Sequence, residues 1–192
     1  EKYLKKSLND SMEVVSKINS DESLHELIVD ISNVCCDALD NGKKIILAGN
    51  GGSAADAQHI AGELVSRFMF DRPGLPSIAL TTDTSVITAI GNDYGYEKIF
   101  SRQLQANGCP GDVFFAYSTS GESKNIIEGL AEAKKHNITT VGLTGLKTNP
   151  NDMSSYCDYL IRIPSISTPK IQEGHLIVGH LICDLIEKKI FG

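Results

Sequence analysis

Two loops rich in glycine and hydroxyl groups, and two helical segments carrying histidine beside a carboxylate or amide, hold the chemistry this 192-residue chain could perform. Gly49-Asn50-Gly51-Gly52-Ser53 runs from an apolar, β-rich stretch into Ser53-Ala54-Ala55-Asp56, where a helical pattern begins. Glycines let the backbone approach a ligand closely, and a helix amino terminus offers unpaired N–H groups and the positive end of its dipole to an anion. The spacing is neither a dinucleotide GxGxxG nor a Walker loop, and a tight turn with a serine cap accounts for it equally well. Ser118-Thr119-Ser120-Gly121-Glu122-Ser123 places four hydroxyls in six residues, again between a strand pattern and a helix pattern. Hydroxyls and helix-terminal amides converging there supply donors for a phosphate without any cationic side chain, which favours an anion site over a simple serine-rich turn.

Proton transfer or metal binding has its own candidates. His59 and Glu63 are four residues apart and project from one helix face, where they form either a solvated pair or part of a metal or substrate site. In Ile171-Gln172-Glu173-Gly174-His175-Leu176-Ile177-Val178-Gly179-His180, residues 172 and 180 share a helix side only loosely, being about two turns apart and roughly 80° around. His175 competes with His180 on geometry, and a buried histidine bonded to a carbonyl is the plain alternative for either. Spacing alone leaves that choice open.

These residues need elements to position them. Leu4, Leu8, Met12, Val15 and Ile18 recur at steps of three and four, as do Leu24, Leu27 or Ile28, Ile31, Val34 and Leu39. The pattern predicts a helical hairpin over 3–40, with Ser20 or Ser23 capping the second helix and Asn41-Gly42 ending it. Beyond it, short β-rich runs alternate with helical stretches, the signature of βαβ units and a parallel sheet. Strands are expected at 44–48, 77–80, 113–117, 140–144 and 159–163, and helices at 53–67, 84–91, 97–107, 123–136 and 169–190. The expectation is therefore a single α/β domain over 1–192, an amino-terminal helical hairpin (1–42) leading into a core (43–192) with a five-stranded parallel sheet flanked by helices. In such a sheet the loops at the carboxyl ends of the strands form the ligand crevice, and both glycine and hydroxyl loops fall there.

Composition narrows the partners. With 41% hydrophobic and 22% charged residues the chain reads as an ordinary globule, and its net charge of −6 argues against duplex nucleic acid or an anionic membrane as the main partner. No apolar run approaches the roughly 18 residues of a membrane span, and Glu1-Lys2-Tyr3-Leu4-Lys5-Lys6 lacks the apolar core of a signal peptide, so a cytoplasmic location is expected. Five cysteines, odd in number and without CxxC spacing, fit reduced and mostly buried thiols.

Taken together, Gly49 to Ser53, Asp56-Ala57-Gln58-His59 with Glu63, Gly91-Asn92-Asp93, Ser118-Thr119-Ser120-Gly121, and Ile171-Gln172-Glu173 with His175 and His180 resemble the phosphoheptose isomerases of the sugar isomerase (SIS) domain superfamily. The serine-rich loop marks only the superfamily, whereas His59, Glu63, Gln172 and His180 together are far more specific. The resemblance spans essentially the whole chain. It implies a homotetramer that interconverts sedoheptulose 7-phosphate and D-glycero-D-manno-heptose 7-phosphate, the first step toward heptose units of bacterial surface polysaccharides. It implies one Zn2+ per subunit on His59, Glu63, Gln172 and His180, with Glu63 and His180 as the catalytic pair. Substrate contacts implied by matching positions are Asn50, Gly51, Gly52, Ser53, Glu63, Asn92, Asp93, Ser118, Thr119, Ser120, Ser123 and Gln172. Thr168-Pro169-Lys170 departs from the Asp-Arg of some members, so an acidic contact is absent there. The resemblance also admits a regulatory tetramer that binds the replication initiator DnaA, from which Glu63 and His180 distinguish this chain, and other aldose–ketose isomerases of sugar phosphates.

Overall fold

The computed structural model describes residues 1–147 and 152–192. Five parallel strands, β1 (Ile45–Gly49), β2 (Ser77–Ala79), β3 (Val113–Tyr117), β4 (Thr139–Thr144) and β5 (Tyr159–Arg162), form one sheet in the order β2-β1-β3-β4-β5. β1 and β3 are buried along their whole length, which is why both read as unbroken apolar runs rather than alternating ones. The pleat divides their side chains between two cores. Ile45, Leu47, Val113, Phe115 and Tyr117 face α1 (Lys2–Ser20), α2 (Glu22–Asp40), α3 (Gly52–Val65) and α7 (Thr168–Phe191). Ile46, Ala48, Phe114 and Ala116 face α5 (Ser101–Asn107) and α6 (Lys124–Lys135). The three-layer α/β architecture is as the sequence predicts. Strand order then does what sequence cannot: it reverses direction between β1 and β3, so the loops leaving these two strands part from one another and open a crevice.

Several local expectations shift. α2 is capped by Asp21, whose Oδ1 accepts from the Leu24 amide at 3.0 Å, rather than by Ser20 or Ser23; Ser23 instead donates to Asp21. The two amino-terminal helices both lie against α7, and of the apolar stripe on α1 only Ile18 is buried, while Leu4, Leu8, Met12 and Val15 are exposed. The helix expected over 97–107 is a 3-10 turn at Tyr96–Lys98 followed by α5. α4 (Thr84–Tyr94) runs three residues past the expected end, through Asn92 and Asp93, and stops at Gly95, whose φ of 92° few other residues adopt. A further 3-10 turn, Met153–Tyr156, escapes the sequence pattern; Asp152 caps it by accepting from the Ser154 amide. Pro169 sits in the first turn of α7, where a missing N–H costs nothing. Lys170 beside it donates to Ser11 Oγ at 2.7 Å and to Glu173, tying α7 to α1.

Two features of α7 set the geometry of the ligand crevice. Gly179 has no side chain where a Cβ would stand 2.6 Å from Ile60 Cδ1, so α7 closes directly onto α3. His175, fully buried, lays its ring edge-on to Tyr117 with centroids 5.7 Å apart, and its Nε2–H donates to the Thr144 carbonyl at 3.3 Å. Burial pushes the His175 imidazole down to about 4, only partly opposed by that hydrogen bond, so it is a neutral core residue.

Gly179→Val should therefore overpack the helix contact and cost about 1–3 kcal/mol, read as a lower urea midpoint. His175 must be neutral to stay folded while the unfolded chain protonates it near 6.5, so its contribution to stability is intact above pH 6.5 and is lost progressively as pH falls toward 4. Urea melts across that window should show His175→Gln with a shallower acid loss than the parent. Parallel curves for the two proteins would contradict this.

Candidate active site

The glycine loop is shaped by its sequence. Gly51 caps α3 at φ 56°, ψ −120°, a conformation that penalises any Cβ, and Gly52 presses against Gln172, whose Nε2 would lie 2.5 Å from a Cβ at that position. The amide of Gln172, from the first turns of α7, thus rests on the first turn of α3. Ser53 is buried and its N–H donates to the Asn50 carbonyl at 3.0 Å. The Asn50 side chain is engaged by protein: it exchanges two hydrogen bonds with the Asn125 amide, at 2.9 and 2.8 Å, and accepts a third from Tyr96 Oη at 3.1 Å.

The hydroxyl loop leaves β3 beside it. Ser118 is buried with its Oγ 3.0 Å from Ser123 Oγ, the Glu122 amide donates to Ser120 Oγ at 3.2 Å, and Thr119 is half-buried. Gly121 turns the chain at φ 74°, where a Cβ would meet Asp152 and Thr144 at 3.3 Å. Ser123 is the N-cap of α6 but makes no side-chain capping bond, which leaves that helix end open to an external acceptor.

His59 and Glu63 on α3 meet His180 on α7. His59 Nε2 lies 2.8 Å from His180 Nε2 and 3.2 Å from Glu63 Oε1, the imidazole rings are T-shaped with centroids 5.0 Å apart, and one ligand atom from each residue falls within 4.8 Å of the others. Two imidazoles and a carboxylate at this separation form a donor set for a divalent ion of the zinc type. The rivalry that spacing left open is thereby resolved in favour of His180, since His175 points into the core. One turn before His59, burial raises the half-buried Asp56 carboxyl to about 6, against a smaller lowering by His59.

This cluster rests on a buried ion pair. Arg72 Nε donates to Glu187 Oε1 at 2.8 Å with both side chains at most 2% exposed, and the guanidinium also donates to the Glu63 and Leu64 carbonyls at the end of α3. Glu187 accepts the Phe68 and Met69 amides at 2.9 and 2.6 Å, and the Phe68 ring lies 5.5 Å from that of His180. Burial alone would raise the Glu187 carboxyl, but the two amides and the arginine outweigh it and hold it below the usual range.

Asn92 and Asp93 are exposed in the last turn of α4, bonded to each other at 2.7 Å; of that neighbourhood it is Tyr96 that reaches the glycine loop. Sequence reasoning also passed over Asn125, Phe68, Arg72 and Glu187. Asn125 had a signal, because it lies in the first turn of the helix that opens at the hydroxyl loop. Arg72 and Glu187 had none, being ordinary charged residues 115 positions apart.

The SIS domain family matches residues 8–145. The chain is 58% identical over 189 residues to a phosphoheptose isomerase of Aneurinibacillus thermoaerophilus, covering 98% of this chain and 94% of that protein. It is 55% identical over 190 residues to phosphoheptose isomerase 2 of Campylobacter jejuni, with 99% and 94% covered. Among solved structures, the phosphoheptose isomerase of Neisseria gonorrhoeae superposes with a TM-score of 0.89 at 37% identity, covering 97% of this chain and 98% of that one. That of Francisella tularensis superposes at 0.90 and 33%, with 97% of each covered. A glycine loop and a hydroxyl loop at the strand-order reversal, with a histidine–carboxylate cluster beside them, are thus held in a frame that closely similar folds share from end to end, and the chain belongs to the phosphoheptose isomerase family of SIS-domain proteins.

Proposed function

We propose that this protein is an aldose–ketose isomerase that interconverts sedoheptulose 7-phosphate and D-glycero-D-manno-heptose 7-phosphate through an enediol, opening the supply of heptose for bacterial surface polysaccharide. The observation that carries the reading is the convergence of His59, Glu63 and His180 beside the glycine loop, in a chain 55–58% identical to proteins named phosphoheptose isomerase. The regulatory DnaA-binding alternative is not favoured, since Glu63 and His180 both stand in place.

In this reading the phosphate sits at Ser118, Thr119, Ser120 and Ser123 and at the uncapped start of α6, where hydroxyls and backbone amides balance its charge in an acidic protein. Gly51, Gly52, Ser53, Gln172, Asn92 and Asp93 line the sugar. The Glu63 carboxylate removes the proton from the carbon beside the carbonyl, and His180 moves a proton between O1 and O2. A zinc ion held by His59, Glu63 and His180, with Gln172 completing the set, would supply a Lewis-acid charge for the developing oxyanion.

The assembly we propose is a homotetramer. Its support is the row Leu4, Leu8, Met12 and Val15 on α1, three of them more than 60% exposed, which is more apolar helix surface than an isolated subunit leaves to water. Among the described residues no helix is long and apolar enough to cross a membrane. All five cysteines are free, with Cys35, Cys36 and Cys183 buried, which suits the reducing cytoplasm where we place the enzyme.

Turnover of sedoheptulose 7-phosphate, with exchange of the C1 proton into deuterated water as a second readout, tests this. Glu63→Gln and His180→Asn should each lower kcat by roughly 10²–10⁴, chelation should abolish turnover reversibly, and the double variant should be little worse than the poorer single one. Near-parental exchange in Glu63→Gln would make the carboxylate structural. Ser120→Ala should raise KM more than it lowers kcat, and unchanged kinetics for alanine at all four hydroxyl positions would remove the phosphate from that loop.

A further inference from the structure

The glycine loop and the hydroxyl loop are joined by an amide pair, Asn50 and Asn125, and Asn125 has no part in the substrate binding or proton transfer proposed above. Asn50 Nδ2 donates to Asn125 Oδ1 at 2.9 Å while Asn125 Nδ2 donates to Asn50 Oδ1 at 2.8 Å, a reciprocal bond between residues 75 positions apart. Asn125 is 3% exposed, in the first turn of α6 and two residues past Ser123. The second lone pair of Asn50 Oδ1 is filled by Tyr96 Oη at 3.1 Å. Asn50 therefore spends both ends of its side chain on protein, and its own carbonyl accepts the Ser53 N–H that starts α3.

We propose that Asn125 is a positioning residue, locking the glycine loop to the hydroxyl loop through Asn50 so that the seat of the phosphate and the proton-transfer cluster on α3 stay at a fixed separation. The substrate's placement in this proposal rests on the isomerase reading above. A sugar phosphate anchored at one end must present its C1–C2 unit to Glu63 within a fraction of an ångström, so slack between the anchor and α3 lowers kcat while leaving each end's affinity nearly intact. Only an amide serves at 125: aspartate would set an acceptor against Asn50 Oδ1, and alanine would leave the Asn50 amide without its partner.

The test compares the parent with Asn125→Ala, Asn125→Asp, Asn50→Ala and the double Asn50→Ala/Asn125→Ala. It measures kcat and KM for sedoheptulose 7-phosphate, the inhibition constant of inorganic phosphate, and amide hydrogen exchange at Ser53 and Ala54. The expected result for both Asn125 variants is kcat lower by roughly 10–100-fold with KM and the phosphate constant within about threefold of the parent. Exchange at Ser53 and Ala54 should quicken at least about tenfold, a change on a loop far from the substituted residue in sequence. The double variant should match the poorer single one, as members of one unit do. Losses at 50 and 125 that multiply would make Asn50 a direct substrate contact and overturn the proposal, as would unchanged kcat and exchange in folded Asn125→Asp, whose volume matches the parent. A parent protein inactive on sedoheptulose 7-phosphate would remove the isomerase reading instead, while the exchange and phosphate measurements would still decide the brace.

Discussion

The contact on which the rest of this structure depends is the close approach of α3 to α7. Gly179 removes the side chain that would hold the helices apart at Ile60, and the buried Arg72–Glu187 pair fastens the end of α3 and the following turn to the last turns of α7. A buried pair of this kind is a modest source of net stability, but losing one partner would strand the other charge at a cost of about 3–5 kcal/mol, so the geometry it enforces is strongly specified. That geometry reaches the histidine–carboxylate cluster: Arg72 grips the carbonyl of Glu63, and Phe68, whose amide Glu187 grips, lies against His180. The same interaction that closes the helices positions both members of the proposed catalytic pair, Glu63 and His180.

A second constraint is electrostatic. A chain of net charge −6 has no spare cationic field, and the phosphate seat proposed at the hydroxyl loop needs none. Serine and threonine hydroxyls, the uncapped end of α6 and the left-handed turn at Gly121 bring donors together in one loop without a cationic cluster among the loop's own residues 118–123.

Much of this was legible in the sequence because it depends on local periodicity. The strand patterns at 113–117 and 159–163, the hydroxyl loop and the His59–Glu63 spacing are local facts, and the structure bears out the strands and the α/β class. Errors fell where two local preferences compete within a residue or two. Asp21 won the cap of α2 over the neighbouring serines because a carboxylate both accepts the Leu24 amide and takes the Ser23 hydroxyl. The helix at 97–107 broke because Phe100 and Leu104 enter the core on the α5 and α6 side of the sheet while the Tyr96–Lys98 turn swings toward the glycine loop. The apolar stripe of α1 is mostly surface within the subunit, since amphipathicity reports that a face will be covered but not by what.

By itself the sequence determined the α/β class, the glycine-rich and hydroxyl-rich loops at strand ends and the candidates for proton transfer, since all of these follow from side-chain period, glycine placement and donor chemistry within a few residues. Only the tertiary structure decided between His175 and His180. Both lie on one helix, and what separates them is that one meets Thr144 and Tyr117 in the core while the other meets His59, 121 residues away. It likewise decided that Asn50 pairs with Asn125 and Arg72 with Glu187. Such pairings depend on strand order and helix approach, and neither is encoded in the spacing of residues along the chain.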